Sequence, residues 1–197
     1  MPADASLPDD QTLAAIVARV ARSLGLPMEL PAPPSVLIDA ASLDFVALAA
    51  LIDHTLLRPD ATAAEIDALC EEALTYGFAA VCVQPMWVAR CAAVLRGSKM
   101  RIASVVGFPL GVTLAEVKRA EAEQLLARGA TELDMVLNIG ALKSGDLALV
   151  YADIGAVAEV TRAGGAVLKV ILETGYLTAE EKVAACVLAR AAGADFV

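Results

Sequence analysis

From residue 43 onward, short apolar runs alternate with longer stretches of helical periodicity. The runs fall at 50–53 (ALID), 79–83 (AAVCV), 102–108 (IASVVGF), 132–138 (ELDMVLN), 167–173 (VLKVILE) and 195–197 (DFV). They are rich in Val, Ile and Leu, and the first five have the length of strands. Between them, apolar residues recur every three or four positions, as on one face of a helix. Three helical stretches open on Thr with Glu three residues later: Thr62 and Glu65, Thr113 and Glu116, Thr178 and Glu181. Such a pair predicts a capping box, in which the Thr oxygen accepts an orphan amide and the Glu reaches back to the cap. Gly77, Gly129, Gly164 and Gly193 stand where helices end and a left-handed residue is favoured. Strand and helix alternating at a spacing of about thirty residues predict βαβ units and a parallel sheet.

The parity of the strands separates two kinds of parallel fold. Leu133, Met135 and Leu137 share one face of their strand; Glu132, Asp134, Val136 and Asn138 share the other. Likewise Leu168, Val170 and Leu172 oppose Lys169, Ile171 and Glu173, and Val81 and Val83 oppose Ala80 and Cys82. A doubly wound sheet carries helices on both faces and calls for two apolar faces. A barrel has an interior that can hold polar groups near its C-terminal mouth. No G-x-G-x-x-G follows the first strand, so the dinucleotide fingerprint is missing. The expected fold is therefore α/β, of the (β/α)8 barrel type. Six strands are counted, the sixth cut short, against the eight that close a barrel over about 250 residues.

Residues 1–42 break the rhythm. Leu13, Ile16, Val17, Val20 and Leu24 form a helical stripe, with Arg19 and Arg22 off it. Pro27, Pro31, Pro33 and Pro34 then read as a stiff, extended linker. The division expected is an N-terminal extension at 1–42 and a partial barrel at 43–197. The extension's helix is expected to dock on the main domain rather than to serve a separate partner.

Composition narrows the function. The chain carries 24 acidic against 15 basic residues, a net charge of -9, with no basic block of the kind that grips nucleic acid. Its four cysteines, Cys70, Cys82, Cys91 and Cys186, fall in no metal-ligand spacing, and His54 is the single histidine, so no metal site is expected. Cysteines inside apolar segments read as free thiols in a reducing, cytoplasmic setting. No apolar run is long enough to span a bilayer. The start of the chain, with Asp4, Asp9 and Asp10, lacks the basic region of a signal peptide.

A carboxylate amid apolar strand residues costs free energy unless something pairs with it, which makes Asp134 the leading candidate for chemistry. Lys169 is the one lysine set mid-strand with inward parity; it reads as an ion-pair partner of Asp134 or Asp53, with a nucleophilic role as the alternative. Lys99, Lys118, Lys143 and Lys182 read as solvated surface charges. Asp53 is either a site residue or a turn residue. Cys82 either lines the pocket or is a small buried hydrophobe. His54 reads as a hydrogen-bonded structural group, since no nucleophile motif accompanies it.

Six segments in register carry a resemblance: LIDHTLLRPDAT (51–62), VCVQPMWV (81–88), VVGFPLG (105–111), ELDMVLNIGALKSGD (132–146), LKVILETGYLT (168–178) and AGADFV (192–197). Together they resemble the deoxyribose-phosphate aldolase family, from about residue 43 to the last. The resemblance implies a class I aldolase on a barrel, working without metal or other cofactor. Its substrate would be 2-deoxy-D-ribose 5-phosphate, split into D-glyceraldehyde 3-phosphate and acetaldehyde in deoxyribonucleotide catabolism. Asp134 matches the family's proton relay, while Lys169 and Asp53 match the polar network around it. The Schiff-base lysine opens a Lys-Thr-Ser-Thr-Gly motif that would follow Val197. The second, assisting lysine and the phosphate-binding loops would also come later. The chain is thus expected to be a C-terminally truncated aldolase, inactive alone. The alternative is a catalytically dead barrel fragment acting through self- or hetero-association. The expected partners are a small phosphorylated sugar and acetaldehyde, with no nucleic acid and no membrane; a homo-oligomer is left open.

Overall fold

The computed structural model describes residues 8–26 and 43–197. The stretch read as a proline-rich linker, from Pro27 onward, lies outside them. Helix α1 covers Asp10–Leu24 and α2 Phe45–Ala49. Then follow β1 Asp53–Leu56, α3 Ala63–Tyr76, β2 Ala80–Val83, α4 Val88–Val94, β3 Arg101–Val106 and α5 Ala115–Ala127. The remainder is β4 Glu132–Val136, α6 Ile139–Lys143, α7 Leu147–Ala163, β5 Val167–Ile171 and α8 Ala179–Ala192.

The five strands form one sheet in the order β1-β2-β3-β4-β5, every pair parallel. The sixth apolar run contributes only an isolated bridge, Phe196 to Lys169, on the outer side of β5. The strand faces divide as their parity predicts. Val81, Val83, Leu133, Met135, Leu168 and Val170 join the large core under the helices. Ala80, Cys82, Ala103 and Val105 form a small separate cluster on the other face.

One contact reveals the shape of the sheet. Lys169 on β5 and Asp53 on β1 are four strand spacings apart, which in a flat sheet is about 19 Å. Their side chains meet at 2.6 Å. The sheet must therefore curl, with the polar face on the inside, in the manner of a partial barrel.

Several local expectations need correction. The first strand begins at Asp53, not at Ala50. Leu51 and Ile52 belong to the turn after α2, and both side chains are exposed. Their apolar run imitates a buried strand, but the pairing register starts with Asp53 opposite Ala80. Thr62 and Thr178 form capping boxes with Glu65 and Glu181. Thr113 does not: α5 starts one residue later than that box requires, with Leu114 at the cap position. Gly164 is right-handed, and Gly165 takes the positive φ of 66°. A Cβ on Gly164 would press on Leu126, so close approach, not handedness, calls for glycine there.

Helix α1 packs on α7 and α8 through Ile16, Val17, Val20 and Ala21, with Arg19 and Arg22 facing water. No helix among the described residues is long and apolar enough to cross a membrane.

Candidate active site

The curled sheet brings four acidic or basic side chains from three strands into one cluster on its inner face. Asp53 opens β1, Glu132 opens β4, Asp134 lies two residues further along β4, and Lys169 sits at the centre of β5. The β4–β5 register places Asp134 directly beside Lys169. The Lys169 ammonium donates to Asp53 Oδ2 at 2.6 Å and bonds closely to Glu132. Asp134 is held less tightly, with Oδ2 at 3.4 Å and Oδ1 at 3.1 Å from the same nitrogen. Oδ1 is buried and off the hydrogen-bonding direction, and, like Glu132 Oε2, it has no hydrogen-bond partner among the described residues. On the far side of Glu132, Arg101 approaches to 3.0 Å from the start of β3.

This arrangement sets the protonation states. Burial works against a charge on Lys169, but the bonds to Asp53 and Glu132 and the field of Asp134 outweigh it and raise its pKa. Lys169 is therefore an ammonium with no free lone pair. Burial raises the Asp134 carboxyl above its ordinary value; the charge of Lys169 opposes the rise, and Glu132 and Asp53 add to it. Cys82, on β2, directs its thiol to Asp134 Oδ2 at 3.8 Å. Burial, followed by the negative charge of Asp134, pushes that thiol up to about 12, so it stays neutral and acts as a weak donor.

What the cluster can do follows from these states. An acid with a raised pKa and an oxygen free of hydrogen bonds can take up a proton and return it. A fixed ammonium beside it limits how far that pKa rises and holds the carboxyl in place. Among the described residues, no three His, Cys, Asp or Glu side chains group so as to hold a metal ion.

Asp134, Lys169, Asp53 and Cys82 are thus brought together. His54 is not: it faces the helix layer, bonds Glu72 at 2.8 Å and stacks on Phe78. Glu132 also joins the cluster, and its inward parity, the same as that of Asp134, was the signal for it. Lys118 is a correction. Its charge predicts a surface position, yet it is fully buried, 2.6 Å from Asp153. The face it shares with buried Ala122 and Leu125, four and seven residues on, was the available signal. A concavity of about 650 Å³ lies away from the cluster, beside the β3–α5 loop, lined by Phe108, Leu110, Val112 and Val117. Its lining includes Glu121 but none of Asp53, Glu132, Asp134 and Lys169.

The sequence matches the DeoC/LacD family aldolase profile over residues 47–197. The deoxyribose-phosphate aldolase of Brevibacillus brevis is 58% identical over 146 residues, which is 74% of this chain and 65% of that protein. That of a Geobacillus species is 53% identical over 150 residues, 76% of this chain and 67% of that one. The chain thus spans about two thirds of the length of these relatives. A crystal structure described as a deoxyribose-phosphate aldolase from Coccidioides immitis superimposes with a TM-score of 0.76 at 38% identity, covering 95% of this chain and 71% of that one. A tetrameric deoxyribose phosphate aldolase from Aeropyrum pernix gives 0.73 at 30% identity, covering 96% and 70%.

Proposed function

The chain belongs to the DeoC/LacD aldolase family, and from that premise we propose that it forms the front part of a deoxyribose-phosphate aldolase site. The reaction is cleavage of 2-deoxy-D-ribose 5-phosphate to D-glyceraldehyde 3-phosphate and acetaldehyde. The observation that carries this reading is Asp134: inward-facing, poised above its ordinary pKa, with one oxygen unpaired beside an ammonium.

Breaking the carbon–carbon bond leaves a carbanion, and a lysine imine supplies the electron sink. None of the five lysines of this sequence suits that role. Lys169 is held protonated, Lys118 is buried against Asp153, and Lys143 is paired with Glu181 on the outside. Lys99 and Lys182 lie outside the inner face, on a loop and on α8. The family resemblance implies that the Schiff-base lysine and the phosphate-binding loops lie in residues other than these. The part played by this chain is proton transfer. Asp134 moves protons to and from the carbinolamine and the enamine carbon, Lys169 and Asp53 set its charge and position, and Cys82 lines the space beside it. The tetrameric Aeropyrum pernix relative supports a homo-oligomeric assembly.

The test joins this chain to the last strands of a close relative, beginning with Lys-Thr-Ser-Thr-Gly. The joined protein should cleave 2-deoxy-D-ribose 5-phosphate. With acetaldehyde and borohydride, mass spectrometry should find the adduct on the lysine of that motif and none on Lys169. The chain without the added strands should form no stoichiometric adduct. A stable adduct on Lys169 would contradict the reading.

A further inference from the structure

Lys118 and Asp153 form a buried ion pair that the proposed chemistry does not use. The ammonium is fully buried and Asp153 is 2% exposed. Buried pairs are weak stabilisers, because the desolvation of two charges offsets most of their attraction. A pair of apolar side chains would fill the same space at no such cost. The ammonium, however, makes one more bond: Nζ donates to the carbonyl oxygen of Val136 at 2.9 Å.

That carbonyl stands where two strands part. The β3–β4 register ends with Val106 opposite Met135. At Gly107, φ 64°, the chain turns away, and the Gly107 amide bonds the Glu121 carboxylate at 2.8 Å instead of continuing along β4. The Leu137 amide points to Ile171 on β5, at 3.0 Å. The carbonyl of the same peptide unit, that of Val136, points the opposite way, toward the departed β3. Without Lys118 it would be a buried acceptor with no ladder partner.

The turn beyond β3 is fitted to the same side chain. A Cβ on Gly107 would lie 2.9 Å from Lys118 Cε, and one on Gly111 would drive into the Leu137 backbone. The lysine stem, the 107–111 turn and the end of β4 therefore pack as one unit. Val136 is only two residues beyond Asp134, and Asn138, next but one, caps α6.

We infer that Lys118 is a positioning residue: it takes the place of the missing strand at Val136 and so fixes the end of β4 that carries Asp134, while Asp153 neutralises its charge. The inference rests on the proposed role of Asp134 for its consequence. Its test reads amide exchange and a side-chain titration, not turnover, so either claim can fail without the other.

The decisive variant replaces both charges, Lys118→Met with Asp153→Leu. Its urea midpoint should fall only modestly, by the loss of the bond to the Val136 carbonyl, since paired apolar replacement is itself close to neutral. Amide exchange at Gly107, Gly111 and Leu137 should nevertheless quicken by about tenfold, as expected when one buried hydrogen bond is lost. The Asp134 carboxyl, followed by carbon NMR, should titrate at a shifted pH. Unchanged exchange and titration in this folded variant would reduce the pair to a structural one and overturn the inference. Asp153→Asn supplies the converse. It keeps the bond to Val136, so it should lower the urea midpoint while leaving those amides and the Asp134 titration as they were. If Asp153→Asn disturbs them, the inference falls, whether or not the double variant folds.

Discussion

Three carboxylates compete for the one ammonium of Lys169, and they do not share it equally. Asp53 and Glu132 hold it closely, while Asp134 stands further off; Glu132 Oε2 and Asp134 Oδ1 each lack a hydrogen bond among the described residues. A buried polar atom left unpaired is a cost that functional sites carry. The cost has a measurable sign. The folded state raises the Asp134 pKa, so it binds that proton more tightly than the unfolded chain does. The resulting stability is present at acid pH and is lost as pH rises through the raised value. Asp134→Asn, which cannot ionise, should therefore raise the thermal midpoint at neutral pH. The gain should vanish in acid, where Asp134 itself is neutral in both states. Thermal scans at the two pH values check this, and a gain confined to acid pH would reverse the sign. Asp134, Lys169 and Cys82 were legible from strand parity alone, because period two leaves each side chain one face. Glu132 was not singled out, since its contact with Lys169 depends on two layers of the curled interior meeting. The charge of Lys118 points to the surface, but its helical face, shared with Ala122 and Leu125, points to the core and decides its place.

Secondary structure was legible where a local interaction enforces it and less so where only apolar content suggested it. The boxes at Thr62 and Thr178 formed as their spacing required. The third, at Thr113, did not, because α5 begins beyond Leu114 and the Thr has no amide to accept. Stability should register the difference. Thr178→Ala should cost about 1 kcal/mol, the usual loss of a helix cap. Thr113→Ala should stay within about 0.5 kcal/mol, as for a surface change that breaks no cap. Urea denaturation of the two variants separates them, and equal losses would show that Thr113 caps α5 after all. The same distinction explains the first strand. Leu51 and Ile52 have the hydropathy of a strand, but their amides bond back to α2, and the Ile52 carbonyl alone meets the neighbouring segment, at the Ala79 amide. Asp53, His54 and Thr55 lack that hydropathy, yet pair with Ala80, Val81 and Cys82.

At the scale of the molecule, alternating elements and a polar inner face were enough to indicate a curled parallel sheet, and the Asp53–Lys169 contact bears out the curl. How tightly the sheet curls was not legible, because curvature arises from the sum of side-chain packing across five strands. That curvature brings together residues as distant in sequence as Asp53 and Lys169, with Asp134 beside them. The central claim is that Asp134 transfers protons in an aldolase reaction. The direct measurement is turnover of 2-deoxy-D-ribose 5-phosphate by this chain joined to the closing strands of a relative, with Asp134 and with Asn in its place. Circular dichroism should confirm that both are folded. A proton-transfer role predicts that Asp134→Asn lowers turnover by about 10²–10⁴-fold while the Schiff-base adduct still forms. Near-full turnover in the folded Asn variant would contradict the claim and leave Asp134 a structural residue.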